Sequence, residues 1–331
     1  MNEETQMVAP ASIAEMNAQF SAVSHAALPA AARMGVWQTT LKADASLTGI
    51  GLHSGKTVTL RVRPAAADTG IVFIRTDIET PEEAIIPALC ASVCEVTLSS
   101  KIGNRFGHVV GTVEHLMAAL AGLRVDNAII EIDAPEVPIM DGSAKPFVAM
   151  IQDAGLRELG VSRRVVRIKK RVRVGNGDSY CELVPDDESV FEAEIDFESG
   201  AIGRQSYALK LDDGNFDTDV VSARTFCMLQ QVEAMHKAGL ALGGSVENAI
   251  VVDGDTVMNE EGLRSEREFV QHKLLDAIGD LYLMGLHLVG RYRGYKSGHA
   301  LHNDLLNALF QEADAFELVN LADGETILAA E

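Results

Sequence analysis

The stretch His272-Lys273-Leu274-Leu275-Asp276-Ala277-Ile278-Gly279-Asp280 decides how this chain folds. It lies in a Pro-free segment, from about Glu266 to Leu286, whose apolar recurrence predicts one long helix. At ~100° per residue, His272, Lys273, Asp276 and Asp280 fall within roughly a quarter turn, and Phe269 and Leu283 project into the same sector. Leu274, Leu275, Ile278, Leu281 and Tyr282 cover the other sectors. The helix is therefore apolar nearly all round, which places it inside the protein, with one ionisable stripe. Buried charges are costly unless they are paired or bind a metal, so the stripe marks a site. His272 and Asp276, four residues apart, can direct an imidazole nitrogen and a carboxylate oxygen at one ion. Taken alone, that spacing is more often a hydrogen bond along a helix face.

Working outward, the first half opens on β-branched or alternating runs such as Val58-Thr59-Leu60-Arg61-Val62 and Ile71-Val72-Phe73-Ile74, which predict strands. A helix is predicted over Val113–Leu123, a strand over Asn127–Ile132 and a second helix over Lys145–Ala154. The polar, basic stretch from Gly155 through Arg164 reads as a linker. Strands then resume at Val165–Ile168 and Tyr180–Val184, followed by a helix near Val220–Lys237, a Gly243-Gly244 turn and a strand at Ala249–Val252. Ala118–Leu123 and Asp276–Leu281 are alike, each following closely on a histidine, which favours duplication of one unit. The expected fold is α+β: an extension at 1–36, outside the fold and partly disordered, a first domain at 37–160 and a second at 161–331.

The composition is that of a globular protein, 47% apolar and 23% charged, so the chain can bury a core. A formal charge of −20 argues against nucleic acid or an anionic lipid surface as the main partner, because these are held largely by Lys and Arg. It leaves room for a small anionic substrate, which needs only a few local cations. Cys90, Cys94, Cys181 and Cys227 form no CxxC pair, which favours reduced thiols in a reducing compartment. No apolar run is long enough to span a bilayer, and residues 1–36 lack the order of a secretory signal. A cytoplasmic monomer without stable membrane insertion is expected.

Two further segments carry chemistry. In Gly111-Thr112-Val113-Glu114-His115-Leu116, Thr112 is placed to cap a helix whose first turn holds Glu114 and His115. A protonated His is disfavoured beside the positive end of the helix dipole, whereas a neutral, metal-binding His is tolerated. Glu114 can then reach a water on that metal, a division of labour similar to that of HExxH enzymes, although HExxH itself is absent. Alone, Glu-His at a helix start is more often a surface pair. Lys296-Ser297-Gly298-His299, after a strand at Val289–Tyr292, reads as a tight turn presenting His299 to a cleft; alone, it is more often a surface histidine.

Together these segments resemble the UDP-3-O-acyl-N-acetylglucosamine deacetylase family of lipid A biosynthesis, from about Leu41 to Leu309. The resemblance rests on Thr48-Gly49-Ile50-Gly51-Leu52-His53-Ser54-Gly55, Thr112–Leu116, Ala134-Pro135-Glu136-Val137-Pro138-Ile139-Met140-Asp141-Gly142-Ser143, Ala223-Arg224-Thr225-Phe226, Gly243-Gly244-Ser245, His272–Asp280 and Lys296–His299. It implies two similar α+β domains, each a β-sheet layered on two helices, with the site between them. It also implies a zinc ion on His115, His272 and Asp276, with an open position for water and Glu114 as the base. Thr225 and cationic His299 would stabilise the oxyanion, with His299 protonating the departing amine and Asp280 holding His299. The implied substrate is a UDP-linked acylated glucosamine. Lys273 and Lys296 would contact substrate or phosphate, Phe197 and Asp196 would lie near the nucleotide, and His53 would stand in the substrate pocket. Phe226, Val232, Ala241 and Val251 would line an apolar passage for the acyl chain.

The sequence departs from that family's pattern at Cys227, where Gly is usual, at His302, where Asn is common, and at Ser179, where a Lys can occur. None of these is a presumed ligand or the base. Two rival classes remain at this level. A mononuclear iron oxygenase also uses two His and a carboxylate. A non-catalytic sugar-nucleotide or acyl-chain binding protein would have no need of Glu114 and His299 beside a metal.

Overall fold

The computed structural model describes residues 23–25, 35–211, 216, 218 and 220–322. Among these are five α-helices and several sheets, a mixed α and β architecture: α1 Glu114–Gly122, α2 Lys145–Ala154, α3 Leu229–Lys237, α4 Glu268–Tyr282 and α5 His299–Gln311. No helix among the described residues is long and apolar enough to cross a membrane.

A five-stranded sheet runs Ala45–Ile50, Thr57–Pro64, Ala128–Ile132, Ile71–Arg75, Ile85–Pro87. Its neighbours are antiparallel except Ala128–Ile132 with Ile71–Arg75. Val58, Leu60 and Val62 are buried while Thr57, Thr59 and Arg61 are exposed, the two-residue period of a sheet with one wet face. α1 and α2 lie against this sheet's buried side, and Leu116, Leu120, Phe147 and Ile151 complete the core there. Each such fully buried side chain stabilises the fold by about 1.5–3 kcal/mol.

A larger, eight-stranded sheet is centred on His287–Tyr295. That strand pairs with Arg164–Ile168, Tyr180–Val184 and Ser189–Asp196, and α4 and α5 pack on the assembly. A small three-stranded sheet of Phe226–Met228, Ile250–Asp253 and Thr256–Val257 carries α3.

α1 and α4 pack face to face, and every residue of α4 except Lys273 is buried. The sequence-predicted inside helix is therefore present, and its ionisable stripe faces α1.

The structure corrects several local expectations. The stretch read as a linker is mostly strand: Leu156–Ser162 pairs with Trp37–Leu41. The helix expected from Val220 begins at Leu229, because Phe226–Met228 is claimed by pairing with Ile250–Val252. Thr112 does not cap α1. The cap position is Val113, while Thr112 has φ +55° and its hydroxyl points to Glu136 Oε1, 3.3 Å away. The strand before His299 runs on to Tyr295, so the turn is only three residues long. The extension is not wholly outside the fold, since Val23–His25 adds parallel to Phe316–Asn320 at the edge of the large sheet. The disorder expected for the rest of it falls on residues 1–22 and 26–34, outside the described residues.

Candidate active site and metal centre

The first turn of α1 brings His115 against the middle of α4, where His272 and Asp276 stand one turn apart. Asp276 Oδ1 lies 3.6 Å from His115 Nε2 and 3.4 Å from His272 Nε2, and all three side chains are buried. Two ligands bound at about 2.0–2.1 Å with tetrahedral geometry lie about 3.3–3.4 Å apart. The spacing is thus that of atoms arranged around an ion. Asp276 Oδ1 is buried without a hydrogen-bond partner in the protein, which is costly unless something else binds there. The donor set, two imidazoles and one carboxylate, fits zinc.

The local charges leave these groups able to bind a metal. His272 Nδ1 is 3.0 Å from the carbonyl of Ala223, to which it donates, so Nε2 keeps its lone pair for the centre. Burial, only partly offset by Asp276, lowers the His272 pKa to about 3 and keeps the ring neutral. Burial alone would raise Asp276, but His272, Lys273 and His115 outweigh it and hold the carboxyl well below the usual range. Lys273 Nζ makes a 2.6 Å ion pair with Asp276 Oδ2, the oxygen turned away from the histidines.

Glu114, next to His115, has one oxygen tied to the backbone N–H of Ser100 at 3.0 Å and the other 3.8 Å from His299 Nε2. Burial raises its pKa, the more so with Asp280 and Asp276 nearby, against the pull of His299 and His115. His299, first residue of α5, is held by its Nδ1 at 2.7 Å from Asp280 Oδ2. Burial depresses the His299 pKa, yet Asp280 and Glu114 lift it to about 9, so the ring is a cation at neutral pH.

These groups open on a cavity of about 250 Å³ lined by Glu114, His115, Thr225, His272, Lys273, Asp276 and His299. Thr225 is fixed by its backbone, which donates to Gly142 O at 2.8 Å and accepts from Ile250 N at 2.8 Å. Gly142 has φ +82°, and a side chain there would collide with the Asn248 carbonyl, so the loop facing Thr225 requires glycine.

A second, more apolar cavity of about 170 Å³ adjoins the first and shares Leu52, Leu98, Thr225, Phe226, Cys227 and Gln231 with it. His53, Val232, Ala241 and Val251 line it. Phe226 stands between the two, edge-on to Phe197 at 5.6 Å and to His272 at 6.3 Å. His53 Nδ1 accepts from the Ala241 N–H at 3.4 Å, and burial lowers its pKa.

The family model for UDP-3-O-acyl N-acetylglycosamine deacetylase, LpxC, matches residues 38–311. UDP-3-O-acyl-N-acetylglucosamine deacetylase of Histophilus somni is 46% identical over 292 residues, 88% of this chain and 95% of the relative. The protein of the same name from Pseudomonas entomophila is 50% identical over 292 residues, 87% of this chain and 95% of the relative. The chain belongs to the UDP-3-O-acyl-N-acetylglucosamine deacetylase family. It is an enzyme of that deacetylase class.

Within the family frame, the sequence-predicted residues are distributed unevenly. Glu114, His115, Thr225, Phe226, Phe197, His272, Lys273, Asp276 and His299 meet at the first cavity, with Asp280 directly behind His299. Lys296 and Asp196 form a 3.0 Å ion pair with each other and line neither cavity. Sequence reasoning missed Ser100, whose hydroxyl donates to Asp280 Oδ1 at 2.5 Å, and the Ala223 carbonyl; a serine in an aperiodic loop and a main-chain oxygen carry no sequence signal. Of the three departures, Cys227 stands where the cavities join, Ser179 Oγ donates to the Lys296 carbonyl at 3.3 Å, and His302 is buried against Asp280.

Proposed function

We propose that this deacetylase hydrolyses the acetamide of UDP-3-O-acyl-N-acetylglucosamine, giving acetate and the free 2-amine for lipid A biosynthesis in the cytoplasm, with zinc on His115, His272 and Asp276. The observation that carries the reading is the placing of two buried imidazole nitrogens, of His115 and His272, 3.6 Å and 3.4 Å from the unpartnered, buried Asp276 Oδ1. Bound there, zinc would acidify a water and polarise the acetyl carbonyl.

The protein's own groups handle the protons. Glu114 takes a proton from the attacking water as its oxygen bonds to the acetyl carbon. The Thr225 hydroxyl and the His299 imidazolium donate to the oxyanion that forms. As the carbon–nitrogen bond breaks, His299 gives its Nε2 proton to the departing nitrogen, leaving acetate and amine. Asp280, bonded to Nδ1, keeps that proton-bearing edge turned toward Glu114 and the cavity. The 3-O-acyl chain enters the apolar cavity past Phe226, Val232, Ala241 and Val251. Lys273, Phe197 and His53 face the remaining polar parts of the substrate, and Lys296 with Asp196 meets the nucleotide portion.

The two halves, 37–160 and 161–331, are on this reading similar α+β domains, each with a sheet layered on two helices (α1 and α2 in the first, α4 and α5 in the second, where α3 and its small sheet are an addition), with ligands drawn from both. Metal analysis combined with an acetate-release assay on the UDP-linked acylated glucosamine tests the proposal. Activity should follow zinc content at one ion per chain. Equal turnover by zinc-free enzyme would refute it.

A further inference from the structure

Asp280 Oδ2 accepts two histidine N–H groups, not one. His299 Nδ1 and His302 Nδ1 both lie 2.7 Å from it, while Ser100 Oγ holds Oδ1 at 2.5 Å. These are hydrogen-bond distances, shorter than the spacing of ligands across an ion, so the cluster is a proton-holding network. His302 is fully buried, and its other nitrogen is 2.9 Å from Tyr292 Oη and 3.3 Å from Ser297 Oγ. Ser297 Oγ and Tyr292 Oη are themselves 2.8 Å apart. With the Tyr292 hydroxyl donating to Nε2, the His302 proton must sit on Nδ1 and point at Asp280. Gly294 makes room for this arrangement, since a side chain there would overlap both Tyr292 Oη and Ser297 Oγ.

We propose that His302 is a positioning residue which, anchored by Tyr292, orients Asp280 and through it sets the pose and acidity of His299. The inference rests on the reading of His299 as the proton donor. A neutral N–H on Oδ2 spreads the charge of Asp280 and weakens its hold on the His299 proton, making that proton easier to give to the amine. The groups facing this network are Ser100 from its loop, Glu114 from α1, Lys273 and Asp276 from α4, Tyr292 and Ser297 from the central strand and its turn, and Cys181 from the neighbouring strand. Of the two neutral donors to Asp280, Ser100 takes Oδ1, and His302 takes Oδ2, the oxygen that also holds His299.

The test compares zinc-loaded wild type with His302→Leu, His302→Asn and Tyr292→Phe. His302→Leu should lower kcat ~10–100-fold, the range of losses for supporting residues, with KM and bound zinc unchanged. It should also move the basic limb of the kcat/KM profile upward by about half a pH unit or more. His302→Asn, which restores an N–H donor to Asp280, should recover most of the lost kcat and return the limb. Tyr292→Phe should act in the same direction as His302→Leu and more weakly. The His299 imidazole is followed in parallel by 15N NMR titration, which needs no turnover. A His302→Leu enzyme that is less thermostable but keeps the wild-type limb, kcat and His299 titration overturns the proposal. A shifted His299 titration in protein that releases no acetate would uphold the positioning role and overturn the function on which it was placed.

Discussion

Gly279 of α4 lies directly against the backbone carbonyl of Glu114 in α1: a Cβ at Gly279 would overlap that oxygen and stand 3.0 Å from Ala118 N. The two helices that carry the candidate ligands therefore meet backbone to backbone beside the centre. Gly is a poor helix former, costing about 1 kcal/mol relative to Ala, so its place in the middle of α4 reflects this contact. Gly279→Ala should force α1 and α4 apart, destabilising the fold by about 1–3 kcal/mol or more despite the gain in helix propensity. Because the displacement separates His115 from His272 and Asp276, zinc content and deacetylation should fall together. An alanine variant with wild-type melting temperature and metal content would show that the helices yield without cost.

Ligand and base should separate cleanly by substitution. Glu114→Ala should purify with about one zinc per chain yet lose ~10²–10⁴ in turnover, the range for a general base. His272→Ala should lose the metal itself, measured by elemental analysis after dialysis. Near-normal turnover in Glu114→Ala would remove that residue from water activation.

How much of this was readable beforehand follows from which interactions are local. α4 was legible because a helix that is apolar on all sides but carries His272, Asp276 and Asp280 conflicts with ordinary burial, and the conflict is visible within one segment. The expected α2, Lys145–Ala154, matches the helix found. The helix start expected at Val220 and the linker expected after Gly155 differ from the structure because strand pairing, with Ile250–Val252 in one case and Trp37–Leu41 in the other, overrides local pattern. The Thr112 cap failed for a similar reason: Glu136, 24 residues away, takes its hydroxyl. The approach of His115 to Asp276 is a long-range contact, and residue spacing alone had supported only His272 with Asp276.

Arg224 and Glu268 form a second buried relationship that bears on the centre. Arg224 Nε lies 2.8 Å from Glu268 Oε1, and the guanidinium also reaches Glu268 Oε2 at 3.2 Å, both side chains being almost wholly inaccessible. Arg224 is flanked by Ala223, whose carbonyl orients His272, and by Thr225, which faces the cavity. Glu268→Leu leaves the buried guanidinium with only Glu261 Oε1 at 2.6 Å and the Gly262 carbonyl at 2.7 Å, and should destabilise the protein by about 1–3 kcal/mol. Loss of the Ala223 contact should weaken zinc binding ~10–100-fold, as for other supporting groups around a metal. The double variant Arg224→Met, Glu268→Leu should recover part of the stability without recovering zinc affinity. Full zinc affinity in the double variant would show that the pair does not hold the Ala223–Thr225 segment.

Acid stability should depend on Asp126, which lines neither cavity of the candidate site. Its carboxylate takes Arg163 Nε at 3.0 Å on one oxygen and Arg163 Nη2 at 2.9 Å and Thr39 N at 2.6 Å on the other, with His287 Nε2 3.5 Å away. Burial raises its pKa, but His287 and Arg163 outweigh burial and bring it to about 2. A depressed carboxyl pKa contributes stability that is complete above the unfolded value of ~3.9 and disappears as pH falls through the folded one. About two units correspond to roughly 2–3 kcal/mol, lost between about pH 4 and pH 2. His287 acts at higher pH and in the same direction. Burial lowers its pKa, so the unfolded chain takes up a proton first as pH drops below ~6.5, and folding weakens from there. Urea midpoints measured from pH 7 to pH 2 should therefore fall in two stages for wild type. Asp126→Asn should start lower at pH 7 and lose less between pH 4 and pH 2. Parallel curves for the two proteins over that lower window would mean that Asp126 is not the group whose protonation unfolds the chain in acid.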